Sequence, residues 1–479
     1  MMSQPASPRS CQAYEPASFE RLPPELLLPI ITSLPGLDTL WNLMRASPSA
    51  LRVFNSHALT ITEGILSGPN SILQPKIREI VRGVILVRSN ALPFKNLHEF
   101  QENFLVGSMR RIQSQPELSM ALGPETLSVS VSNVSVTVLV SVVATSYQIF
   151  ALAQACLASC LERTRALRVS HPVDPKISYT DDFGRPNQLI PAFERKYPGK
   201  PVKVMDAGQP TWVEEMRVVR ALWGLQLVGE LRRLSANKAD MINWSDQDID
   251  KLNETDLLGL FPPFHRGSQN REVQSVRDYL TTLGESTNDG YHRLPRPPRG
   301  SVTTRWETAL PIPQKITYIV RVYCKGGEIH RLNPGDTVPA GGRPIPCPKH
   351  SEDDDWGKTE PALKYASFGA DFFRSLTDST MGPGASPIPG VQFDSFSPLG
   401  FAFWDRWRMH LLGLAPPFPG GNDYFYFFAW ESILPPEEVK HIKDGLQEKW
   451  WKSWAHYNAS LAASHAQAKR DRLVNSVSA

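Results

Sequence analysis

Four residues in the last third of the chain carry the side chains that bind a tetrahedral metal: Cys324, His330, Cys347 and His350. Thiolate and imidazole are the ligands zinc prefers, and structural sites place them at short, regular intervals. Here the intervals match no such pattern and a long loop intervenes, so no metal is expected. A second pair, Cys156 and Cys160, sits on an apolar stretch without a second ligand pair and reads as two buried thiols. The phosphate-cradling Walker loop, Gly-x-Gly-x-x-Gly, Gly-x-Ser-x-Gly and His-Glu-x-x-His are all missing. No catalytic residue and no cofactor is assigned.

The elements that could do the binding start near the N-terminus, between Phe19 and Leu40. Pro23 and Pro24 suit a first helical turn, where the missing N–H costs nothing. Leu26, Leu27, Ile30, Ile31 and Leu34 follow at the spacing of one apolar face. Pro35-Gly36 ends that helix. A second is expected from Leu37 or Asp38, with Leu37, Leu40, Trp41, Leu43 and Met44 inward. A third, short helix follows Ser47-Pro48, carrying Leu51, Val53 and Phe54. Three short helices cannot bury this many apolar groups among themselves, and the surplus implies a partner or a following domain.

The run Phe19-Glu-Arg-Leu-Pro-Pro-Glu-Leu-Leu-Leu-Pro-Ile-Ile resembles the start of an F-box, over roughly residues 19–60. The resemblance implies docking onto a Skp-family adaptor, and through it onto a cullin, in a ubiquitin ligase. It carries the adaptor contacts to Leu22, Pro23, Leu26, Leu27, Ile30 and Leu34. Ubiquitin transfer would then fall to the ligase's catalytic subunits, and the rest of this chain would hold an unknown protein substrate. One departure from the pattern is Pro29, which removes the helix bond to Glu25 and is expected to cost about 3 kcal/mol or to kink the helix.

Further along, Thr211 opens one of the clearest helices, with Glu214 placed to complete a capping box. Val213, Met216, Val219 or Arg220, Trp223, Leu227 and Leu231 form its stripe. Glu214, Arg217, Arg220, Ala221 and Trp223 resemble a recurring segment of large fungal F-box-like proteins, which agrees with the N-terminal resemblance. Between Glu125 and Glu162 no residue is charged. Its length suffices for a bilayer, but frequent Ser, Asn and Gln favour burial inside a helical core. Phe150 to Leu161 reads as helix, and the Ser/Val alternation before it has strand character as well.

Helices are expected at Arg271–Leu283, Ala362–Thr377, Phe401–Leu414 and Pro436–Tyr457, and one strand at Ile316–Tyr323. Trp450, Trp454 and Tyr457 share a face of the last helix and read as core, facing Met216 and Trp223. Pro/Gly-rich loops are expected at 285–314, 333–360 and 382–400. The fold class is therefore mainly α, an N-terminal three-helix module (19–60) followed by one irregular helical domain (69–459) with little β. A disordered tail is expected at 1–18 and a polar tail at 460–479.

The 479 residues carry 51 basic and 48 acidic side chains, so no overall field recruits nucleic acid. Five scattered cysteines and no apolar leader in Met1–Ser18 point to a reducing compartment, cytoplasmic or nuclear. The alternative is a non-ligase interaction protein with a degenerate F-box, membrane-associated through residues 127–161.

Overall fold

A computed structural model of the chain describes residues 19–101, 104, 122, 134–172, 194, 199–236, 244–255, 268–284, 294–298, 319–323, 329–331, 343–346, 367, 393–414 and 430–477. The described protein is predominantly helical, with little β. A 3-10 turn over Phe19–Arg21 leads into α1 (Pro24–Thr32), α2 (Leu37–Ala46) and α3 (Pro48–Ser67). The third helix is longer than the sequence suggests. It changes direction at His57 (φ −133°, ψ 31°) and runs on to Ser67, so helix replaces any linker after residue 60.

Pro29 lies inside α1, and the helix continues past it to Thr32. Glu25, whose carbonyl loses its helical partner, and Pro29 are both exposed. Water can therefore satisfy the orphaned carbonyl, which removes the desolvation part of the expected cost. Leu27 and Ile31 turn inward and pack α1 on α3.

The centre of the fold is α6 (Trp212–Ala236). It packs on α4 (Pro75–Arg88), on α5 (Val136–Arg165) and on α8 (Ser268–Thr282), with α7 (Asp246–Glu254) near its end. From Val213 to Leu231 every residue is buried, so the expected single stripe is one side of a helix enclosed on all sides. The expected capping box is present: Thr211 Oγ1 accepts from the Glu214 N–H at 3.2 Å, and Glu214 accepts from the Thr211 N–H at 2.8 Å.

The uncharged stretch becomes one continuous helix, α5, from Val136 onward, where the Ser/Val alternation had suggested strand as an option. Tertiary burial against α2, α3, α4 and α6 overrides β-propensity there. Among the described residues it is the one helix long and apolar enough to cross a membrane, and 56% of its most apolar window is buried. Gln148 on α5 donates to the carbonyls of Leu294 and Pro295 at 2.9 and 2.7 Å, fastening the Pro-rich segment to the helix.

Strands are few. β1 (Ser170–Pro172) pairs antiparallel with β2 (Gly199–Pro201). β3 (Ile319–Tyr323) falls within the expected strand and is flanked by β4 (Ile329–Arg331) and β5 (Arg343–Pro346), both antiparallel to it. β5 and a 3-10 helix over Phe393–Leu399 lie in stretches expected to be loops. In the stretch Phe401–Leu414 only α9 (Arg406–Leu411) is helical. The helix expected at Ala362–Thr377 lies, apart from Ser367, outside the described residues.

The last helix, α10 (Pro436–Val477), corrects two expectations. It continues through the stretch read as a polar tail. Its aromatic face is not core: Trp451, Trp454 and Tyr457 are 52%, 47% and 36% exposed. Met216 and Trp223, the expected counterface, are buried among other helices. The 4–3 periodicity correctly put the rings on one face, but periodicity carries no information about what covers a face.

Before α9 the chain turns at Gly400, in the left-handed region at φ +76°. A Cβ there would lie 2.6 Å from the buried indole of Trp404, which donates to the Leu399 carbonyl. Replacing Gly400 with Ala should destabilise the fold by about 2–4 kcal/mol, from backbone strain plus overpacking. Urea unfolding checks this, and an unchanged midpoint would show that the turn does not depend on glycine.

Candidate partner-docking face

Among the described residues, a set of buried ionisable groups lies around the first turns of α6. Glu214 accepts from Arg408 Nε at 2.9 and 3.1 Å and from the Asp405 N–H at 3.0 Å. Arg408 also donates to the carbonyls of Gly208 and Gln209. Arg217 pairs with Asp405 at 2.5 Å and donates to the Phe403 carbonyl, while Thr211 Oγ1 donates to the other Asp405 oxygen at 3.1 Å. One turn on, Arg220 pairs with Glu272 of α8 at 2.5 Å. Near the C-terminal end, Glu230 pairs with Arg88 of α4, which also reaches Ser141 and Thr145 of α5.

These groups could do acid–base chemistry if open, but they are engaged with one another. Glu214, Arg217, Asp405 and Arg408 are all at most 2% exposed. Burial pushes the Asp405 carboxyl up to about 7 against the opposing pull of Arg217. Burial likewise raises the Glu272 carboxyl. The cluster therefore fastens α6 to its neighbours. The sequence motif supplied Glu214, Arg217 and Arg220 but missed Asp405, Arg408 and Glu272. The available signal was a run of charges, Asp405 to Arg408, set among Phe401, Phe403, Trp404 and Trp407.

Among the described residues no group of His, Cys, Asp or Glu is arranged to hold a metal ion. His330 lies on β4, and Cys324, Cys347 and His350 fall outside the described residues. Cys156 and Cys160 are both buried on α5. A hydrogen bond with Cys160, together with burial, holds the Cys156 thiol well above its ordinary value, which suits an inert thiol.

Among the described residues, one face open to a partner is the outer side of α1. Of the six predicted contact positions, Pro23, Leu26 and Ile30 face solvent, with Leu26 55% and Ile30 42% exposed. Leu22 and Leu34 are half-buried at the two ends of the helix and pack against the core. Leu27 is buried at 1% exposure and belongs to the core side of the same helix. Pro29 adds a further exposed apolar group beside Ile30.

The face is held rigidly from behind. Glu20 in the preceding turn accepts from the Ser49 N–H at 3.1 Å, tying the Leu22-Pro23 entry to the start of α3. Hydrogen bonds from the Ser47 and Ser49 hydroxyls lower the Glu20 carboxyl. Leu51, two residues beyond Ser49, is itself 38% exposed. Beyond the α1 turn, the Ile72 N–H donates to the Pro35 carbonyl at 3.0 Å and Asn70 donates to the Ser33 carbonyl. Both ends of α1 are thus pinned by segments far from it in sequence.

Compared with protein-family models, curated proteins and solved structures, the chain matches none.

The Asp405 clasp predicts a pH dependence whose sign follows from its raised value. Between the ordinary carboxyl value of 3.8 and about 7, the folded protein keeps a proton that the unfolded chain releases. Its contribution to stability therefore falls as pH rises through that window, by on the order of a few kcal/mol. Asp405→Asn cannot titrate there. Denaturation midpoints between pH 4 and 7.5 should fall more steeply for the wild type than for the variant. Parallel slopes would assign Asp405 no role in the pH response.

Proposed function

We propose that the protein is an F-box-type adaptor that docks onto a Skp-family protein through the outer face of α1. The docking residues are Pro23, Leu26 and Ile30, with Leu22 and Leu34 at the edges and Leu27 anchoring the helix from behind. The observation that carries the reading is the exposure of Leu26 and Ile30, one turn apart, on a helix whose opposite side is locked into the core. Large apolar side chains held outward on a rigid helix suit an anchor patch, because this chain has little left to order on binding. In this reading the helical body holds a protein target, and ubiquitin is transferred by the ligase's other subunits. The protein needs no nucleophile of its own.

A second reading is favoured by one observation. The three N-terminal helices are not a detachable module, since α2 and α3 pack on α5 and α3 crosses the expected boundary as helix. In this reading the F-box-like helices serve as part of the core of a non-ligase interaction protein.

Replacing Leu26 and Ile30 together by Ala distinguishes the two. Both side chains are exposed, so the fold should hold to within about 0.5 kcal/mol per site. Adaptor binding should weaken by about 3 kcal/mol, more than a hundredfold, as read by co-purification or titration calorimetry. Leu27→Ala should instead lower stability by about 2–5 kcal/mol, because it opens a cavity behind the helix. Adaptor binding unaffected by the double change, or undetectable for the wild type, would leave the second reading standing.

A further inference from the structure

The three-stranded sheet β4-β3-β5 sorts its residues by chemistry. In antiparallel strands, directly opposite residues share a face, and so do alternate residues along one strand. Arg321 stands opposite Arg331 and Tyr323 opposite Ile329 across β3 and β4. Across β3 and β5 the pairs are Arg321 with Ile345 and Tyr323 with Arg343. One face therefore carries two rows of positions: Arg331, Arg321 and Ile345, then Ile329, Tyr323 and Arg343. The other face carries Val320, Val322, His330 and Pro344. The irregular register between Ile319 and Arg321 lies outside both rows.

All three arginines of the sheet thus fall on one face, opposite a mostly apolar one. Neither acidic residue of the span 319–346, Glu328 or Asp336, lies on a strand. Strands lie about 4.8 Å apart and the two rows about 6.8 Å apart, so the six positions fit an area of roughly 10 by 7 Å. Arg321 and Arg331 are directly opposed, and Arg343 lies on the diagonal from Arg321. Like charges directly opposed weaken a sheet, so one that brings three together gains from an anion that neutralises them.

The number of charges sets the kind of anion. Three guanidinium groups on so small an area match a single dianion, and the arginine fork suits paired phosphate oxygens. A nucleic-acid strand would instead need a basic track that follows several phosphates. Tyr323, Ile329 and Ile345 complete the face, which suits a phosphate carried on an apolar or aromatic group over a free one. The edges offer an extended peptide little to pair with. β4 has three residues, and β5 carries Pro344 and Pro346, which lack an N–H.

We propose that this face binds a phosphate monoester, its dianion held by Arg321, Arg331 and Arg343 and its organic group set over Tyr323 and Ile329. The site is built from residues far in sequence from α1 and stands whether or not an adaptor binds there.

Titration calorimetry of the full chain with phenyl phosphate at pH 7.5, where the ester is a dianion, tests the proposal. The wild type should bind phenyl phosphate more tightly than inorganic phosphate. Arg321→Gln/Arg331→Gln should weaken binding by about tenfold for each arginine removed, with circular dichroism unchanged. Arg321→Lys keeps the charge and loses the fork, and should weaken binding as well, which separates recognition from loss of fold. No heat at millimolar phenyl phosphate, or an unchanged affinity in both variants, would overturn the proposal. Equal affinity for inorganic phosphate would remove the organic group from it, and displacement of phenyl phosphate by an equimolar single-stranded oligonucleotide would make the ligand a polyanion. Binding that emerges only after Glu352–Asp355 is replaced by Gln and Asn would also overturn it, since the counter-ion would then be this chain's own acidic run.

Discussion

Ionised groups inside an apolar core must be paired, and that requirement organises this fold around α6. A buried charge without a partner costs several kcal/mol, so Glu214, Arg217, Arg220 and Glu230 each dictate what lies beside them. Glu214 needs Arg408, Arg217 needs Asp405, Arg220 needs Glu272 and Glu230 needs Arg88. Successive turns of one helix therefore specify the position of the α9 segment, of α8 and of α4. Hydrophobic burial supplies the driving force but is indifferent to register. The ion pairs are not, since a slip of one residue along α6 would strand several charges at once. Their contribution lies in specifying one arrangement more than in adding net stability.

The same logic reaches the N-terminal helices by a different route. Arg82 of α4 pairs with Glu63 of α3 and also reaches Ser67 and the Leu122 carbonyl. Through α4 the central helix thus fixes α3, and through α3 it fixes α1. The outward aim of Leu26 and Ile30 follows from that chain of contacts, because Leu27 and Ile31 can only face α3. A face built this way is preorganised, and a partner that bound it would lose little free energy to ordering it.

Local signals in the sequence are legible where the physics is local. Thr211 and Glu214 lie three residues apart and satisfy each other's backbone, so the capping box was visible without any tertiary knowledge. The Pro and Gly breaks around α1 and α2 were legible for the same reason. Long-range partners were not. Nothing near Glu214 announces Arg408, and the Ser/Val alternation before residue 150 pointed equally to strand until α2 and α6 enclosed it. On α10 the period of the aromatic row was correct and its burial was not, since amphipathic spacing is the same for a core helix and for one that meets a partner. For the candidate docking face the sequence marked the helix, while the split between Leu26 and Ile30 outside and Leu27 inside depends on where α3 lies.

The span between ion-pair partners also governs when the molecule can close. Glu214 meets Arg408 across 194 positions of chain. At a synthesis rate of roughly 5–20 residues per second, α6 emerges from the ribosome about 10–40 seconds before the segment that neutralises its first turn. The clasp around the first turn of α6 therefore cannot form until residues 405–408 have been made, which places it among the later contacts of the fold to close.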